Sequence, residues 1–348
     1  MNCILTEQRG SIGLITLNRP KALNALNLEM VQLIGTALDE WESDESVRAV
    51  LFIGAGDRAF CAGGDLKDFY TAKAQDNDYS DINVPEIFFG AEYRLNHRIF
   101  NYPKPTIAFM DGVVMGGGFG IGGHCDCPIT TPKTMFSMPE TAIGFFPDIA
   151  AMYHLTRSPD AAGRYIALTA DRLNAEDMHE AHLATHHIAD LNAAELMDVI
   201  DSAEDIGAAL DQYSSQPQDG GVLSAHATEI GLYFGCETLE GTIAELEESE
   251  TPFAQKTLAI LKMRAPLSLA VTAEQYGRAQ GKSFDAVIQQ DFTLAKNFMR
   301  APDIYEGIRA VLIDKDHAPQ WHPAKLEDVD AEQVARYFAA HQSDLFGV

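Results

Sequence analysis

Two glycine-rich loops are the segments of this chain best suited to chemistry. One is Phe60-Cys61-Ala62-Gly63-Gly64-Asp65; the other runs from Asp111 to Gly123 and contains Gly116-Gly117-Gly118. Each leaves an apolar run that reads as a buried strand, Val47–Ile53 and Thr106–Met110, and each leads into a helix. Glycines let backbone N–H groups converge where side chains would block them, so such loops can hold an anion or a developing negative charge. Gly118-Phe119-Gly120-Ile121-Gly122-Gly123 also satisfies G-x-G-x-x-G, with Glu140 near the spacing of a ribose-binding acid. Its context argues against a dinucleotide site. The turn lies upstream at Gly116-Gly117, Glu140 follows a proline, and no βαβ unit comes first. The remaining chemistry is an oxyanion hole, with one N–H from each loop on a single carbonyl oxygen. Loss of one such donor costs about 2.7–4 kcal/mol of transition-state stabilisation. It also calls for an acid or base nearby.

Other reactive side chains read as structural. His179, His182 and His186 fall on one helical face, but no ligating carboxylate is placed beside them, so no metal is expected. Cys61 has apolar neighbours that would hold its thiol neutral. Cys125-Asp126-Cys127 lacks zinc-site spacing, and five scattered cysteines with no signal-peptide pattern fit a reduced compartment, cytoplasmic or mitochondrial matrix.

Positioning the two loops requires a scaffold. The N-terminus reads as a hairpin, Cys3–Glu7 and Ser11–Leu17, around Arg9-Gly10. A helix follows from Asn27 to about Trp41, with Met30, Val31, Ile34, Leu38 and Trp41 on one face. Residues 71–85 are polar and read as mobile, and 86–101 read as helical. Short strands around Cys127–Thr130 and Thr134–Ser137 lead to the loop Met138-Pro139-Glu140. The first half thus repeats strand, glycine loop and helix twice. Beyond about residue 155 the pattern is mostly helical, with a break at Ser214–Gly221.

The chain has 348 residues, 46% of them hydrophobic, enough for one large core or a core plus a smaller domain. Its net charge is −26, which argues against nucleic acid and against an anionic membrane surface. The charge is uneven: residues 1–170 carry −7, while 171–250 carry −18, with Arg172 the only basic residue there. No apolar run approaches the roughly 20 residues that span a bilayer, so a soluble intracellular protein is expected.

Three motifs resemble the enoyl-CoA hydratase/isomerase (crotonase) superfamily: Asn18-Arg19-Pro20-Lys21-Ala22-Leu23-Asn24-Ala25-Leu26, Phe60 to Leu66, and Met115-Gly116-Gly117-Gly118. Met138 to Asp148 and Tyr305 to Asp316 more narrowly resemble its 3-hydroxyisobutyryl-CoA hydrolase branch. The resemblance implies an α/β fold, a spiral of ββα turns over residues 1–190. A helical region over 191–348, acidic in its first part, would pack back on that core. It assigns the oxyanion N–H groups to Gly64 and Gly117, and substrate binding to Lys21, Ala62, Asp65, Leu66 and Glu92. Arg58 and Lys67 are further candidates for the CoA phosphates.

The resemblance also bears on the acid and base. Hydratases of the superfamily use two glutamates, and here one of those positions is Gly120 while the other is Glu140. Asp148 stands where the hydrolase branch carries Asp and hydratases commonly carry Gly. The alternative role for Asp148 is a helix N-cap, and for Glu92 a solvated helix face. After Asp148, Ile149-Ala150-Ala151 replaces the small, glycine-rich residues usual in the branch, setting methyls beside the acyl pocket. The implied reaction is hydrolysis of 3-hydroxyisobutyryl-CoA in valine catabolism. Glu140 acts either as nucleophile, through an anhydride, or as general base to water. Asp148 orients the substrate hydroxyl or carries the proton to the leaving thiolate. CoA is part of the substrate, no resident cofactor is implied, and a homo-oligomer is left open. The alternatives are a hydratase or isomerase acting on a related acyl-CoA, and a non-catalytic CoA-ester-binding protein.

Overall fold

The computed structural model describes residues 2–67, 70–71, 83–218, 220–341 and 344–347. Most of the polar stretch 71–85 lies outside the described residues. By packing, the chain divides into two compact units, each drawn from three segments. Unit 1 comprises Met1–Gly64, Arg94–Ser137 and Arg172–Val222; unit 2 comprises Asp65–Tyr93, Met138–Asp171 and Leu223–Val348. These units follow packing, whereas a division at 190 follows the switch in element type along the chain.

Unit 1 is built on parallel strands that are buried on both faces in the sheet interior, whereas its antiparallel edge strand Ile4–Arg9 is exposed beyond Ile4. Its larger sheet has six strands: β1 (Ile4–Arg9), β2 (Ile12–Leu17), β3 (Ala49–Gly54), β5 (Thr106–Met110), β7 (Cys127–Thr130) and β9 (His186–His187), in that order. β1 pairs antiparallel with β2, and every later pairing is parallel. The register sets Leu14 beside Leu51 and Leu51 beside Ile107. On that face they pack with Leu196, Met197 and Ile200 of the helix Ala193–Ser202, and with Leu210 of the helix Ile206–Asp211. The helix Leu28–Glu42 is capped by Asn27, whose Oδ1 accepts the Met30 N–H at 2.9 Å. It buries Met30, Val31, Ile34, Leu38 and Trp41, the face expected from its periodicity.

A second sheet stacks β4 (Ala59–Cys61), β6 (Val113–Met115) and β8 (Met135–Ser137) in parallel. Each of the pairs β3/β4, β5/β6 and β7/β8 is a strand of the large sheet followed by one of the small sheet, giving three turns of a spiral. The sequence reading had two such repeats and left β4 and β6 inside the glycine loops. Strands of three residues bounded by glycine carry no periodicity to read.

Unit 2 is helical. A 3-10 turn, Glu140–Ile143, is followed by helices that include Ala151–Leu155, Ala162–Thr169, Pro252–Met263, Pro266–Ala279 and Phe284–Phe298. The helix Asn83–Phe100, which starts three residues earlier than expected, contributes its part through Tyr93. Phe89 stacks on Phe145 at 5.4 Å, Phe146 on Phe298 at 5.1 Å, and Phe298 meets Tyr337 at 4.3 Å. This aromatic cluster anchors the segment between Glu140 and Asp148. Among the described residues no helix is long and apolar enough to cross a membrane.

Candidate active site

In unit 1 the two glycine loops meet. Gly64 forms a β-bridge with Leu26, the Leu26 N–H donates to Gly63 O at 2.8 Å, and the Ala62 N–H donates to Leu23 O at 3.0 Å. Gly63 has φ +96°, a backbone that L side chains rarely adopt, and a Cβ there would lie 3.6 Å from the Gly117 nitrogen. Gly117 opens the helix Gly117–Gly122, so its N–H has no acceptor within the helix. Gly118 lets that helix press on β4, because a Cβ there would sit 2.2 Å from Cys61 O.

Asn24 holds the first loop from behind. It is fully buried, and its Nδ2 donates to Ala55 O at 3.0 Å and Ala59 O at 2.8 Å. The sequence reading named Asn24 only as part of a motif. The signal available was an Asn in a non-repetitive segment, a residue type that tolerates its φ of +56°.

In unit 2 the carboxyls of Glu92, Glu140 and Asp148 are all buried. Glu140 opens the 3-10 turn, and its Oε2 has no hydrogen-bond partner among the described residues, nor does Glu92 Oε1. Asp148 accepts a hydrogen bond from Tyr93 Oη at 2.6 Å. It does not cap a helix with its side chain: the N-cap of Ala151–Leu155 is Ala150, and Asp148 supplies only its backbone oxygen to the Ala151 N–H, at 2.9 Å. Glu92 likewise lies in the interior rather than on a solvated face.

Burial raises all three carboxyls. Asp148 is pushed up to about 7, against the hydrogen bond from Tyr93, which favours its charged form. Burial and the neighbouring Asp148 charge push Glu140 and Glu92 well above the ordinary glutamate value. Such a group holds a proton and a negative charge together near neutral pH, as acid–base chemistry needs.

The backbone after Asp148 is unusual. Ile149 and Ala150 have φ of +54° and +57°, each costing about 1–2 kcal/mol for a residue with a Cβ. The Ala150 N–H donates to Asp291 Oδ2 at 2.8 Å. Gln275 Nε2 donates to Pro147 O at 3.0 Å and to Asp291 Oδ1 at 2.8 Å. Tyr93, Gln275 and Asp291 were not anticipated from the sequence.

The remaining expected residues are placed as follows. Lys21, on the 3-10 turn Pro20–Ala22, is exposed, as are Arg58 and Lys67, while Ala62, Asp65 and Leu66 are half-buried. Cys61 is buried, with its Sγ 3.9 Å from Gly63 O. His179 Nε2 and His187 Nδ1 share the Thr130 hydroxyl at 3.0 and 3.1 Å, and His186 Nε2 lies 3.4 Å from Asp211. Those ring nitrogens serve the sheet edge at β9.

Residues 12–338 match the family model described as enoyl-CoA hydratase/isomerase. The chain belongs to the enoyl-CoA hydratase/isomerase family. Among its relatives is the mitochondrial 3-hydroxyisobutyryl-CoA hydrolase of Rattus norvegicus, 38% identical, the match covering 96% of this chain and 88% of that protein. The Homo sapiens protein of the same name is 36% identical with the same coverage. Among solved structures, a carnitinyl-CoA dehydratase from Mycobacterium thermoresistibile superposes with a TM-score of 0.92 at 35% identity, covering 99% of this chain and 98% of that one. An enoyl-CoA hydratase from Rhodobacter sphaeroides gives 0.89 at 34% identity, covering 97% of each.

Within this enoyl-CoA hydratase/isomerase family member, a second glutamate at position 120 would have to displace a neighbour. A Cβ on Gly120 would lie 2.8 Å from Asn96 Nδ2, which donates to Gly120 O at 3.0 Å. Asn96 is fully buried and has little room to move.

Proposed function

We propose that this protein is an acyl-CoA thioester hydrolase that converts 3-hydroxyisobutyryl-CoA and water to 3-hydroxyisobutyrate and CoA. The observation that carries the reading is the buried Asp148 carboxyl. Tyr93 holds it, it caps no helix, and its charge adds to burial in raising the pKa of Glu140. The hydrolase relatives at 36–39% identity support the same assignment.

In this reading the N–H groups of Gly64 and Gly117 take the thioester oxygen as it becomes negative. Glu140 either attacks the carbonyl carbon itself, or removes a proton from the water that attacks. The C–S bond then breaks, and Asp148 delivers a proton to the departing thiolate. On the first path water next cleaves the anhydride, one of its protons leaving with the acid and the other returning to Asp148. On the second, Glu140 passes the proton it took from water to Asp148, so either way both carboxyls are restored. CoA arrives with the substrate, and Lys21, Arg58 and Lys67 are the cations offered to its phosphates. The setting is a reduced compartment, the cytoplasm or a mitochondrial matrix, and the hydrolase relatives are themselves named mitochondrial.

The test is release of free CoA from 3-hydroxyisobutyryl-CoA, followed with a thiol reagent. The wild type should turn over, and Glu140→Gln should lose roughly 10²–10⁴-fold in kcat, the range for a general acid or base. Hydration of crotonyl-CoA without thiol release would instead support a second reading, a hydratase, to which the names of the two structural neighbours point.

A further inference from the structure

We propose that Asp291 and Gln275 are positioning residues that clamp the Pro147–Ala150 backbone and thereby aim the Asp148 carboxyl. The proposal rests on the hydrolase reading for its kinetic arm. Asp148 lies between two fixed points. Ahead of it, Pro147 O is held by Gln275 Nε2 at 3.0 Å; behind it, the Ala150 N–H is held by Asp291 Oδ2 at 2.8 Å. The two clamps are tied together, since Gln275 Nε2 also reaches Asp291 Oδ1 at 2.8 Å. They come from two separate helices, Pro266–Ala279 and Phe284–Phe298, and both side chains are fully buried.

What they hold would not hold itself. Ile149 and Ala150 are left-handed at φ +54° and +57°, and Ile149 is β-branched, a residue type rarely found there. Return of either residue to an ordinary conformation would swing the chain on one side of Asp148 and pull its carboxyl from Tyr93 Oη.

The Gln275 amide is oriented by its surroundings. With Nε2 toward two acceptors both are satisfied, and Oε1 is left without a partner among the described residues. The opposite orientation would set Oε1 against the Pro147 carbonyl, which can only accept. An orphaned buried acceptor is thus tolerated so that both contacts form, which marks the arrangement as one the fold specifies.

Asp291→Leu keeps the branch at Cγ and removes both contacts; Asp291→Asn keeps an acceptor for the Ala150 N–H; Gln275→Met removes the Pro147 clamp. In the full chain, Asp291→Leu should lower kcat for thiol release by about 10–100-fold with KM within about threefold, as displacement of a catalytic group by a fraction of an ångström does. Asp291→Asn should recover most of that loss, and Gln275→Met should lower kcat by about three- to tenfold. Hydrogen exchange of the peptide spanning Ala150 should speed up in Asp291→Leu and stay slow in Asp291→Asn, with exchange in unit 1 unchanged. That readout does not depend on activity. If the wild type releases no CoA, the hydrolase reading fails while exchange still decides the clamp. Unchanged exchange at Ala150, or a folded Asp291→Leu or Gln275→Met with wild-type kcat, overturns the proposal. If Asp291→Leu does not fold, Gln275→Met and Asp291→Asn decide by the same two measurements.

Discussion

Glu92, Glu140 and Asp148 are three carboxyls taken out of water within one unit, and they cannot all be charged. The group must therefore keep protons at a pH where exposed carboxyls have lost theirs. Tyr93 stabilises the charged form of Asp148, so the reactive arrangement, with the shared proton on Asp148 and Glu140 ionised, is reached by proton transfer from Glu140 to Asp148. Below about pH 7 the Glu140–Asp148 pair is doubly protonated and offers no base, so kcat/KM should rise with pH through that value. Tyr93→Phe removes the larger of the two hydrogen bonds that lower the Asp148 pKa, the other coming from its own backbone N–H. The rising limb should then move to higher pH by about one unit, the worth of a hydrogen bond to a charged group. A pH–rate profile compares the two proteins directly, and an unmoved limb would mean that Asp148 does not set it.

At the scale of elements, the stacked sheets and the helix Gly117–Gly122 depend on contacts too close for a side chain. Gly120→Ala should destabilise the protein by about 1–3 kcal/mol, the range for overpacking a full core, because the new methyl meets Asn96 Nδ2. A urea melt measures this, and a midpoint equal to wild type would show that Asn96 can yield. Gly120→Glu should inherit the same cost and gain no crotonyl-CoA hydration. Much of this architecture is legible in the sequence where periodicity or a motif carries it. The helix Leu28–Glu42 shows its apolar face, β7 and β8 stand out as short apolar runs, and Glu140 and Asp148 sit in a motif. What escaped has a common cause. β4 and β6 lie inside or beside the glycine-rich runs, which read as loops, and Gln275 and Asp291 are polar residues on helices far along the chain from Pro147, so nothing local links them to the turn they hold. Glu92 was read by motif, but its burial was not, since one carboxylate on a helix face looks solvated until the packing is known.

At the scale of the whole molecule, the net charge of −26 joins the buried carboxyls in setting how stability varies with pH. Two classes of acid act in opposite senses. Asp44, Asp201, Glu229, Glu306 and Asp316 accept hydrogen bonds that hold them below their ordinary values, so their contribution is present above the unfolded pKa and is lost as pH falls through the folded one. Glu92, Glu140, Asp148 and Asp291 are raised by burial, and Asp303 is pushed up to about 6. For these the folded chain binds more protons than the unfolded one between about pH 4 and their folded values, so stability falls as pH rises through that window. Self-repulsion among the excess carboxylates acts in the same direction. The melting temperature should therefore peak at about pH 5 and decline toward about pH 8. Asp148→Asn removes one raised group and should flatten the decline, raising Tm more near pH 8 than near pH 5. The gain is capped at about 4 kcal/mol, since the Asp148 pKa rises from 3.8 to about 7 and each unit is worth about 1.4 kcal/mol. Differential scanning calorimetry across that range tests the sign: a wild-type Tm that climbs from pH 5 to 8, or a slope that Asp148→Asn leaves untouched, would show that the buried carboxyls are not held protonated.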